Sequence, residues 1–194
     1  YLEGYFIEEE HPLGPHEKLR FHFDENGPDM DPEKLPDVDW APERLIKARR
    51  NYSVQYIRSL LPELVRLIGD REAAQLGRNA AYLIGMQSYD NTAATIGLRD
   101  PSAAGFAVYL ATLLAAGGDA VETETDGDDL LVRSKSWRMM EERPHVTPGC
   151  FDAWNGLWEG ALAVHNRHLA LSVDARMDEG APFWQWRIRS APRC

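Results

Sequence analysis

The sequence predicts an α+β domain, in which helices pack on one face of an antiparallel sheet of about four strands, behind an acidic N-terminal extension. Three observations predict it. Apolar residues recur at helical spacing from Leu45 to Leu114. The period then shortens to two over residues 120–139 and again over 168–189, each stretch folded back at a turn containing Gly and Asp. An aromatic-rich helix, from about Cys150 to Val164, separates the two stretches. Helices, hairpin, helix, hairpin is the order of an antiparallel sheet covered on one side.

Residues 1–40 read as an acidic arm, and 41–194 as one domain. The arm holds twelve carboxylates against three bases, so it carries −9 of the formal charge of −10. Within it YFIEEE and KLRFHF are candidate short strands, with a solvated extension as the alternative. Asp39 is placed to cap a helix with Pro42 in its first turn, and Pro62 should kink or split that helix. Gly69-Asp70 reads as a stop followed by a new start, and the next helix carries Ala73, Leu76, Ala80, Leu83 and Ile84. Asp100-Pro101-Ser102 starts a third helix, which Gly117-Gly118 ends. AVETET and LLVRSKSWRM make the first hairpin around Asp126-Gly127-Asp128-Asp129; HLALSVDARM and FWQWRIR make the second around Asp178-Glu179-Gly180.

Composition narrows the function classes. An acidic chain offers no face to neutralise phosphates, which disfavours nucleic acid, and it discourages adsorption to anionic membranes. The longest apolar run, Ala103 to Ala116, is too short to span a bilayer. Two cysteines, Cys150 and Cys194, give no disulfide framework, so a cytoplasmic location is the default. No signal peptide is visible, and a start at Tyr1 leaves a missing upstream segment open. No glycine-rich phosphate loop and no Gly-x-Ser-x-Gly elbow is present, so no cofactor is expected.

Cys150 follows Pro148-Gly149 at a helix start, where the helix dipole favours a thiolate. His145 upstream, or His165 or His168 at the far end of the element, would be its base in an attack on an amide- or amidine-like carbon. The alternative is a cysteine that simply packs. Glu159 shares a polar stripe with Asp152 and Asn155, as a general base, a contact for a cationic group, or part of a solvated face. Trp137, Trp154, Trp158, Trp184 and Trp186 are candidate walls for a flat ligand, with core packing as the alternative. Tyr82 and Tyr89 bunch with Gln87, Asp90 and Asn91 at a helix end, where they would close the pocket opposite Cys150. Arg133, Lys135, Arg187 and Arg189 would suit a carboxylate if they point under the helices. His165 and His168 lack a third partner, and no metal is assigned.

Over residues 40–190 the order of elements resembles the aminothiazoline-carboxylate hydrolase-like family, related in architecture to ligand-binding domains of the 4-vinyl reductase type. The resemblance rests on Cys150, the small residues Gly156, Gly160 and Ala163 in the helix behind it, and the closing hairpin with its glycine turn. Small residues four apart are expected to let that helix lie close to the sheet. Some relatives bind zinc through the cysteine and further ligands; the corresponding positions here fall near Ser172, Ala175 and Phe183, which do not suit zinc. The resemblance implies a metal-independent hydrolase of specialised metabolism, cleaving a C–N bond of a small heterocycle or amide. A non-catalytic ligand-binding or sensor domain is the alternative. A small heterocyclic or aromatic ligand is the expected partner, and the acidic arm makes a homodimer compatible with this reading.

Overall fold

The computed structural model describes residues 40–191. The candidate strands of the acidic arm, the Asp39 cap and Cys194 lie outside the described residues. From Ala41 the chain builds helices α1 (Pro42–Ile68), α2 (Asp70–Thr95) and α3 (Ala103–Gly117), strands β1 (Val121–Asp126) and β2 (Asp129–Ser134), helix α4 (Pro148–His165), and strands β3 (Leu169–Ala175) and β4 (Trp184–Ser190). The strands form one antiparallel sheet in the order β1-β2-β4-β3. This is the α+β class that the periodicities predicted.

The local signals act where they stand in the sequence. Gly69 (φ 88°) closes α1, and Gly118 (φ 96°) closes α3 by donating its N–H to the Ala115 carbonyl. Ser102 caps α3, its hydroxyl accepting from the Gly105 N–H at 3.3 Å, and is itself held by both oxygens of Asp100. Gly127-Asp128 makes a two-residue turn between Asp126 and Asp129.

Three expectations are corrected. Pro62 does not split α1: Ile57, Leu61 and Val65 anchor the helix in one apolar cluster on both sides of the proline, so the loss of one hydrogen bond is absorbed. Asp70 is the first helical residue of α2, not its cap; its carboxylate instead accepts from Thr147 Oγ1 and from the Gly149 N–H (3.0 Å), capping α4 from outside. Finally, β2 ends at Ser134, so Lys135, Trp137 and Met139 belong to the loop that follows.

Leu130, Val132, Trp184, Trp186 and Ile188 present the sheet's apolar face to Phe106 and Leu110 of α3 and to Phe151 and Leu162 of α4. Against the far side of α4 lies α2, parallel to it and close enough for backbone to meet backbone. A Cβ on Gly156 would stand 2.3 Å from the Arg78 carbonyl oxygen, and one on Gly160 2.0 Å from that of Tyr82. Reciprocally, a Cβ on Gly85 would stand 2.1 Å from the Leu157 oxygen. The small residues of α4 therefore serve its contact with α2 rather than with the sheet.

Candidate functional site

Helix α1 packs differently. Val54, Ile57 and Leu61 point inward at spacings of three and four residues, towards Ala80 and Ile84 of α2, Leu113 of α3 and Trp154 and Trp158 of α4. These walls line a partly open apolar cavity of about 340 Å³, a volume within the range of ligand pockets. Among the described residues its one ionisable wall residue is Asp119, just past the end of α3. Burial pushes the Asp119 carboxyl above its ordinary value, while the Arg138 N–H (2.8 Å), the Ser136 hydroxyl (2.7 Å) and the Arg138 charge oppose that shift. At the cavity, Trp158 Nε1 is buried without a hydrogen-bond partner.

The residues singled out as catalytic are not brought together. Cys150 is fully buried at the start of α4, clustered with Leu61, Met140 and Ala153, and its polar contact is Thr147 Oγ1 at 3.8 Å. His165 is the last residue of the same helix, about 22 Å away at 1.5 Å of rise per residue. There Nε2 donates to the Ser102 carbonyl (2.9 Å), so Nδ1 accepts from the Tyr89 hydroxyl (2.5 Å). His145 sits in the exposed loop before α4 with φ 62°, and His168 lies beyond the helix, beside Arg167. Glu159 is engaged by both arms of the Arg78 guanidinium (2.8 and 2.9 Å) and by Asn155 Nδ2 (3.0 Å), which ties α4 to α2.

The aromatic residues divide into two groups. Trp154 and Trp158 line the cavity; Trp137 and Trp184 border a separate recess with Met140, Val146 and Met177, and Trp186 packs in the core. Trp184 stacks on Phe151 with centroids 3.9 Å apart, and Trp137 meets both rings edge-on. Trp186 is almost wholly buried and donates its indole N–H to Asn155 Oδ1 at 2.8 Å. Tyr82 lies along the α2–α4 contact, and Tyr89 packs on Tyr109 and His165. The apolar cavity thus lies among the helices rather than between helices and sheet.

The cations of the strands and of the loop after β2 are paired with acids of the hairpins or exposed, not aimed under the helices. Arg133 pairs with Glu124, Lys135 with Glu122, and Arg187 with Asp126, Asp129 and Asp174. Arg189 is exposed. Among the described residues no group of three His, Cys, Asp or Glu is placed to hold a metal ion. Nor is any helix among them long and apolar enough to cross a membrane. Sequence reasoning missed the α1 and α3 walls of the cavity and missed Asp119; the inward row Val54, Ile57, Leu61 was the available signal.

No family model matches the sequence, and no curated protein matches it. Among solved structures the chain is similar to trafficking protein particle complex subunit 3 from Naegleria fowleri, covalently bound to palmitic acid. The TM-score is 0.59 at 12% sequence identity, covering 75% of this chain and 97% of that one. At that identity the likeness shows the fold.

This finding corrects the functional expectations. The architecture read as that of an aminothiazoline-carboxylate hydrolase-like protein is instead the fold of a trafficking-complex subunit. The C–N hydrolase of specialised metabolism, the sensor alternative, and the heterocyclic or aromatic ligand and homodimer expected with them are withdrawn on the same ground. The scattered positions of Cys150, His145, His165 and Glu159 give the hydrolase no support.

Proposed function

We propose that the chain is a non-catalytic subunit of a protein assembly, binding a different polypeptide along the outer sides of α1 and α2. The observation that carries this reading is the large apolar side chains left exposed on both helices. On α1, Leu45, Tyr52, Tyr56 and Leu67 form one stripe, with Tyr52 86% and Tyr56 71% exposed. On α2, Leu76 and Leu83, seven residues apart on one face, are also exposed. Exposed apolar patches on this scale mark sites of interaction. Helical stripes at these spacings suit a partner presenting an apolar helix of its own. The similar structure is that of a complex subunit, which supports the same reading. A cytoplasmic setting accords with it.

The test is to isolate the complex from the source cells, identify a stoichiometric partner, and reconstitute the pair from purified chains. Tyr52→Ser with Leu83→Ser should weaken that pairing at least about tenfold, as loss of central anchors does, while the melting temperature stays unchanged. Undiminished pairing in the variant overturns the assignment of the surface. Self-association as the sole use of that surface overturns the different-polypeptide reading.

A second reading rests on the cavity. We infer that it houses a fatty acyl chain, since its walls are almost entirely apolar and the similar structure carries palmitic acid. Here the chain would be held without a covalent bond, because Cys150 is not among the wall residues. Binding of a fluorescent fatty acid that is lost in Ala80→Trp, with the fold kept, supports it. Undiminished binding in that variant overturns it.

A further inference from the structure

Beside the cavity is a polar recess of about 250 Å³, lined by Arg50, Arg58, Arg138, Glu141 and Glu142. The two spaces share Val54, Gly117 and Met139 as walls, so the apolar cavity abuts the arginines directly. The geometry points to this recess as the site of an anionic headgroup, carboxylate or phosphate, of a single-chain lipid whose tail fills the cavity. The inference rests on the acyl reading above and names the chemistry of the head.

Three observations carry it. First, two guanidiniums converge where a side chain is missing. Arg50 Nη1 and Arg138 Nε lie 3.1 and 3.2 Å from where a Cβ on Gly118 would stand. Like charges held this close repel, and an anion between them reverses that cost. Second, the protein itself leaves these donors uncommitted. Among the described residues neither the Arg50 nor the Arg138 side chain makes an ion pair or hydrogen bond, although Glu141 and Glu142 share the recess. Arg58 donates through Nη2 to the Glu141 carbonyl (2.8 Å), while its Nε is buried without a partner. Third, the end of α3 does not account for the arginines. Its Ala115 and Leu114 carbonyls are already taken by the N–H groups of Gly118 and Asp119. The carboxylate of the cavity wall, Asp119, feels the Arg138 charge, but its Oδ1 accepts from the Ser136 hydroxyl and the Arg138 backbone N–H rather than from either guanidinium.

A lipid of this kind would lie with its tail among Ile57, Leu61, Leu113 and Trp158 and its head against the guanidiniums. An arginine fork binds a planar carboxylate or a phosphate through paired hydrogen bonds, whereas a hydroxyl gains little from it.

The experiment compares four probes on the purified full chain by calorimetry or fluorescence displacement: dodecanoate, dodecyl phosphate, dodecanol and inorganic phosphate. The expected result is that both charged lipids bind at least about tenfold more tightly than dodecanol. Arg50→Gln with Arg138→Gln should remove that advantage and leave dodecanol affinity unchanged. An unchanged melting temperature in the double variant excludes unfolding as the cause. Equal affinity for dodecanoate and dodecanol in the wild type overturns the headgroup site but leaves the acyl reading intact. No binding of any alkyl probe overturns both. Inorganic phosphate binding as tightly as dodecyl phosphate makes the recess a site for a free anion and overturns the lipid assignment.

Discussion

The two sides of α2 are built to different standards. Towards α4, glycines bring backbone against backbone, Arg78 clamps Glu159, and Asn155 links the clamp to the indole of Trp186 in the sheet. Towards α1, the same helix faces an apolar cavity, and beyond it lie exposed leucines and tyrosines. Close packing on one side supplies the cohesion of the domain, because dense contact and satisfied buried polar groups both stabilise. Loose packing on the other leaves apolar surface that a partner would remove from water. The difference teaches that the α2–α4 contact maintains the fold, whereas the α1 side is where a second molecule has something to gain.

The largest effect should come from one substitution made on both sides. In Gly160→Ala the new methyl would fall 2.0 Å from the Tyr82 carbonyl oxygen, backbone that cannot yield without parting α2 from α4. A loss of about 3 kcal/mol is expected, at the upper end for overpacking. Gly117→Ala, on the cavity side, meets only Asp119 Oδ2 at 3.9 Å and keeps helical geometry. There alanine should add about 0.5 kcal/mol through helix propensity. Urea denaturation measures both; equal losses at the two sites would abolish the distinction drawn between them.

A smaller loss, about 1 kcal/mol, is expected for Arg176→Ala, because the guanidinium is well covered while its acidic partners remain partly exposed and can turn to water. Arg176 is 15% exposed, pairs with Asp152 (2.5 Å) and Asp178 (2.7 Å), and lies over the Phe151 ring at 4.6 Å. It thereby pins the turn between β3 and β4 to the first turn of α4. Its neighbours hold the guanidinium in its charged form: the hydrogen bonds it donates to Asp178 raise its pKa most, and Asp152 adds to this. If thermal melts show Arg176→Ala matching Arg176→Lys and the wild type, the cluster is ornamental and the tight region ends before this turn.

How far the sequence carried these contrasts depended on distance along the chain. Turns and caps were legible because their signals are local: Gly69, Ser102, Gly118 and Gly127 each act within a few residues. The spacing of Gly156 and Gly160 announced a close contact, but only the structure shows that α2, some seventy-eight residues earlier, meets it. The hydrophobic stripe of α1 was equally visible, yet periodicity cannot tell an apolar face that is buried from one left exposed. Cys150 misled for a related reason. A thiol at a helix start looks reactive until burial and the positions of the imidazoles are known. The cavity was the least legible feature, since its walls come from four helices and no two adjacent segments describe it.

The smallest expected effect lies at the boundary of the two regions and is a dependence on pH. Asp119 Oδ1 accepts from the Ser136 hydroxyl and the Arg138 N–H, contacts that an asparagine oxygen can also make. Burial nevertheless holds the folded carboxyl above its ordinary value of 3.8. The folded state therefore binds this proton more tightly than the unfolded chain does. The resulting stabilisation is complete below the ordinary value and is lost as pH rises through the raised one. Asp119→Asn removes the ionisation and keeps the shape, so the variant should gain stability relative to wild type as pH increases across that window. Paired denaturation curves at acid and neutral pH measure the change. A relative gain towards acid instead would mean that the charge is favoured where it stands. The cavity end of α3 would then be wetter, or more strongly influenced by Arg138, than its apolar walls imply.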